Sequence, residues 1–167
     1  MSATTTEVRV EALAILDRMQ TMVDNEMVAH VGYVNEYVVR PDLKEAGAIC
    51  GGRNACVVGS LWLAAGAKPR KVQGEWGEIV ELPGVEPGKR KGYLSRKPEL
   101  KLAYRALNDA AQAYVDSDDS LVYEPECVTE GPLEGLFENS FRDGRNIDPF
   151  ELTGIIATAR AAIEASS

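Results

Sequence analysis

The sequence predicts an α+β domain, mainly helical, with a small antiparallel sheet. Three observations point there. Two long stretches and a C-terminal one repeat apolar residues every three to four positions, two shorter stretches alternate with period two, and one eight- to nine-residue run is apolar on every side. The chain has 167 residues, 45% of them hydrophobic and 26% charged, with a formal net charge of −8. That length and balance suit a single globular domain over 1–167 that needs neither disulfide nor metal merely to fold. Three cysteines do not close a disulfide framework, and no run approaches 18 consecutive apolar residues, so a secreted staple fold and a membrane span are both disfavoured. The opening residues Met1 to Glu7 lack a basic stretch followed by an apolar core, which places the protein in a reducing cytoplasm as an expectation.

The first helix begins at a capping box, Thr4-x-x-Glu7, and continues through Val8, Ala12, Ile15, Leu16, Met19, Val23 and Met27 to a predicted end near His30. Residues 31–40 alternate and stop at Pro41, which reads as a strand; residues 71–82 alternate too, weakened by Gly74 and Gly77. The two strands are expected to pair, with the short apolar helix between them across one face. Pro83-Gly84, Pro87-Gly88 and Lys91-Gly92 mark an exposed basic loop near residues 83–97. Pro98 opens a second long helix along Leu100, Ala103, Tyr104, Leu107, Ala111, Tyr114 and Val115. An acidic segment near residues 116–148 follows, polar enough to suit a mobile chain, with one short helix over 132–141. The last helix has Asp148 as N-cap, Pro149 at its first position and Glu151 closing the box, then Leu152, Ile155, Ile156, Ala159 and Ile163 on one face.

Charge is distributed unevenly. Between residues 116 and 151 eleven acids face only Arg142 and Arg145, a local balance of −9, whereas residues 87–105 hold seven bases and one acid. The acidic residues Asp116, Asp118, Asp119, Glu124, Glu126 and Glu130 are candidates for docking to a basic partner surface, where a field raises encounter rate more than affinity. The basic residues Lys89, Arg90, Lys91, Arg96 and Lys97 are candidates for contact with phosphate, and hence for nucleic-acid binding through residues 89–105. The plainer reading of both runs, and the first choice for a run of charge, is solvated surface in which the two partly neutralise one another.

The most distinctive stretch runs from Cys50-Gly51-Gly52-Arg53-Asn54-Ala55-Cys56 into Val57-Val58-Gly59-Ser60-Leu61-Trp62-Leu63-Ala64-Ala65-Gly66. Asn54 suits an N-cap and Gly66 a C-terminal stop, and a helix with no polar face must be buried. Four readings compete. Cys56 is a small core residue; or it is a thiolate nucleophile in the first helical turn with His30 as base, the heart of a cysteine-dependent enzyme; or Cys50, Cys56, Cys127 and His30 form a zinc site, although five residues separate Cys50 from Cys56; or Gly51, Gly52, Arg53 and Asn54 cradle an anion, with Arg53 as the forked donor. No Walker or Gly-x-Gly-x-x-Gly pattern is present and the run Asp116 to Ser120 lacks the glycine of a calcium loop, so no cofactor is expected.

Through Cys50-Gly51-Gly52 and Cys56-x-x-Gly59-Ser60-Leu61-Trp62, after an aromatic-bearing strand with Tyr33 and Tyr37, the sequence resembles small uncharacterised proteins of actinobacteriophages and their actinobacterial hosts. The resemblance covers residues 31–66 and implies a phage accessory protein in the host cytoplasm, with no activity attached to any residue. The expected function is therefore protein–protein interaction through charged surfaces with a host or phage partner.

Overall fold

The structure, a computed structural model, describes residues 4–28, 34–36, 53–55, 57–67, 70–74, 77–81, 97–117, 132–133, 136, 147–148 and 150–166. Four helices carry it: α1 (Thr5–Asp24), α2 (Val57–Ala64), α3 (Pro98–Ser117) and α4 (Glu151–Ala165). Helix α1 packs against the other three, and α3 packs against α4 and α2.

The α+β expectation is corrected here: the architecture is mainly helical and is not organised on a sheet. Among the described residues, those buried in the core come from the four helices, from Met27 and Val28 just after α1, and from Leu133, Leu136 and Ile147. Among the described residues the expected pairing of residues 31–40 with residues 71–82 is not formed. Val34–Glu36 pairs instead with Arg53–Ala55, and Arg70–Gly74 with Gly77–Glu81, in two separate two-stranded antiparallel ladders. The reason lies in the glycines. Gly74 stands opposite Gly77 across two intervening residues, so the second alternating stretch folds back on itself as a hairpin and pairs with its own second half. Asn54, expected as the N-cap of the apolar helix, belongs to the ladder opposite Asn35.

The helices follow their apolar stripes closely. In α1 the buried residues are Ala12, Ile15, Leu16, Met19, Met22 and Val23; in α3 they are Leu100, Ala103, Ala106, Leu107, Ala110 and Ala111; in α4 they are Leu152, Ile155, Ile156, Ala159 and Ile163. Every residue of α2 is buried, as an apolar helix without a polar face requires. Its one hydroxyl, Ser60 Oγ, donates to the Val57 carbonyl at 2.7 Å and so is satisfied within the helix.

Caps set the ends. Thr4 Oγ1 accepts from the Glu7 amide at 3.3 Å while Glu7 Oε2 accepts from the Thr4 amide at 2.7 Å, the reciprocal box read from the sequence. At the start of α4, Asp148 Oδ1 accepts from the amides of Phe150 and Glu151, and Glu151 Oε2 accepts from the Asp148 amide. Helix α2 closes in a Schellman motif: Ala67 N–H donates to the Trp62 carbonyl, Gly66 N–H to that of Leu63, and Gly66 takes φ +83°. Two cations complete this end. Arg18 Nε donates to the Ala64 carbonyl at 2.6 Å and Lys97 Nζ to that of Ala65 at 2.9 Å.

Helix α1 ends at Asp24, short of the expected His30, and by the same motif. Met27 N–H reaches the Met22 carbonyl and Glu26 N–H that of Val23, with Glu26 at φ +57°. Met27 is buried because it follows the reversal and returns to the core, which is why it fits a helical spacing without being helical.

Candidate functional site: the acidic end of the bundle

Hydrogen bonds between helices establish their relative direction. Arg9 Nη2 near the start of α1 donates to the carbonyls of Ile163 and Glu164 near the end of α4, and Gln20 Nε2 near the end of α1 donates to Thr153 Oγ1 near the start of α4. Helix α4 therefore runs antiparallel to α1, and an ion pair between Asp17 and Arg160 joins them midway. Tyr114 Oη, near the end of α3, donates to Glu151 Oε1 at 2.8 Å, so α3 is antiparallel to α4 as well. The C-termini of α1 and α3 and the N-terminus of α4 thus share one end of the bundle.

That end is acidic. It carries Asp24 and Glu26 from α1 and its reversal, Asp116 from α3, and Asp148 and Glu151 from the start of α4; all but the half-buried Glu151 are exposed. Described residues 19–28, 108–117, 147–148 and 150–154 contain no lysine or arginine. Asp24 and Asp116 sit in last turns that have no basic residue, where the helix dipole already presents negative carbonyl ends. Each such carboxylate costs the helix roughly 0.3–1 kcal/mol instead of stabilising it. Glu26 adds a second local cost, because a left-handed backbone is unfavourable for a residue bearing Cβ. By contrast Asp148 and Glu151 lie where the dipole favours them and cap α4. Three of these acids therefore occupy places that helix stability alone would not select.

An exposed aromatic stands among them. Phe150, between the cap and α4, is 71% exposed, the more exposed of the two large hydrophobic residues open to solvent among the described residues. An apolar ring within a polar rim is the arrangement that anchors protein interfaces. The carboxylates do not converge into a group of three able to hold a metal ion among the described residues. The opposite end of α3 carries Lys97, Lys101 and Arg105, roughly 15–30 Å away at 1.5 Å per residue.

Of the acidic candidates, Asp116 is placed on this surface, exposed in the last turn of α3, its Oδ1 accepting from Gln112 Nε2 at 2.9 Å. Asp118, Asp119, Glu124, Glu126 and Glu130 lie outside the described residues. The acidic segment is nonetheless tied to the bundle at three points: Leu133, Leu136 and Ile147 are buried, the Leu133 amide donates to Asn108 Oδ1, and the Ile147 amide to the Leu136 carbonyl. Among the basic candidates, Lys97 is half-buried and directs its ammonium at the C-terminus of α2, and Arg53 lies in the short ladder opposite Glu36. Lys89, Arg90, Lys91 and Arg96 lie outside the described residues, as do Cys50, Cys56, Cys127 and His30, the positions of the nucleophile and zinc readings.

Asp24, Glu26 and Phe150 were not singled out by sequence reasoning. The available signal was a carboxylate pair flanking Asn25 where a helix-ending glycine would be ordinary. No helix of the described residues is long and apolar enough to cross a membrane. No family model matches the chain, and no curated protein or solved structure matches it.

Proposed function

We propose that this chain is a small interaction protein of phage type, acting in the host cytoplasm, that docks a basic protein surface against the acidic end of its helical bundle. The observation that supports this most directly is that Asp24, Glu26, Asp116 and Asp148 share one end of the bundle with the exposed Phe150, with no lysine or arginine among the described residues there. A surface of one sign steers an oppositely charged partner and fixes its orientation, while an exposed aromatic side chain on the same end supplies apolar burial. The partner this chemistry fits presents lysines or arginines around an apolar recess.

The test is affinity capture from host lysate with the wild-type chain, a D24N/E26Q/D116N variant, and Phe150→Ala, each at low and moderate salt. Asp148 is left intact because it caps α4. The expected result is a protein retained by the wild type at low salt, weakened at moderate salt, and lost from both variants, while Phe150→Ala melts as the wild type does and the triple variant melts no lower. A partner held equally by wild type and triple variant would place the interface elsewhere and overturn the proposal.

A further inference from the structure

We draw no further inference here: the strongest candidate, the solvent-facing stripe of small residues Gly154, Ala157, Thr158, Ala161 and Ala165 along α4, carries nothing because no second observation among the described residues shows what covers it.

Discussion

Replacing Glu26 with glycine should make the protein more stable and a poorer binder. Glu26 holds φ +57° as the reversal residue that ends α1, and its amide and that of Met27 close the helix on Val23 and Met22. A left-handed conformation costs a residue with Cβ roughly 1–2 kcal/mol. Glycine removes that cost but loses about 0.5–1 kcal/mol more in backbone entropy on folding. Removing a carboxylate just beyond the negative end of the helix adds a few tenths of a kcal/mol in the same direction, at roughly 0.3 kcal/mol when exposed. The net expectation is a gain of about 0.3–1.8 kcal/mol, which in a domain of this size raises Tm by roughly 1–7 °C. Urea and thermal melts of wild type, Glu26→Gly and Glu26→Gln read it out. Glu26→Gln keeps the strained backbone and loses only the charge, so it should gain less than glycine while losing as much partner binding. If Glu26→Gly melts at or below the wild-type temperature, the glutamate makes interactions that outweigh its backbone cost, and the argument that this position is set by something other than folding fails.

Gly66→Ala should destabilise by about 1 kcal/mol, since the added Cβ meets nothing within 4 Å and only the φ of +83° opposes it; a chemical denaturation midpoint unchanged from wild type would contradict the Schellman closure of α2. Leu107→Ala, at a fully buried position on α3, should cost about 2–5 kcal/mol in the same assay. The Glu7 carboxyl is held below its ordinary range by the Thr4 amide first and the Thr4 hydroxyl second. A carboxyl lowered in the folded state contributes stability that is present above its unfolded pKa and lost as pH falls through its folded one. Glu7→Gln should therefore reduce stability near neutrality and flatten its fall in the acid range, which a melt series against pH measures. Partner association should slow as ionic strength rises past 0.15 M, where the Debye length is about 8 Å, far shorter than the bundle; stopped-flow rates independent of salt would argue against steering by the acidic end.

What could be read from the sequence was whatever local chemistry determines alone. The faces of α1, α3 and α4 follow from apolar spacing, because a helical residue three or four positions away lies on the same side whatever else the chain does. The boxes at Thr4 and Asp148 follow from short side chains that reach amides only two or three residues ahead. The complete burial of α2 follows from the absence of any face that water could wet. Strand pairing was misread because alternation reports an extended backbone but not its partner; the short interval from Gly74 to Gly77 let the chain satisfy itself locally, at lower loop-closure entropy than a pairing across some forty residues. The acidic end was out of reach for a different reason. Asp24, Asp116 and Asp148 are separated by 92 and 32 positions in the chain, and only the antiparallel seating of α4 against α1 and α3, through Gln20 to Thr153 and Tyr114 to Glu151, brings their carboxylates to one surface. Periodicity determined what each helix buries, whereas the direction in which the helices pack determined which charges meet.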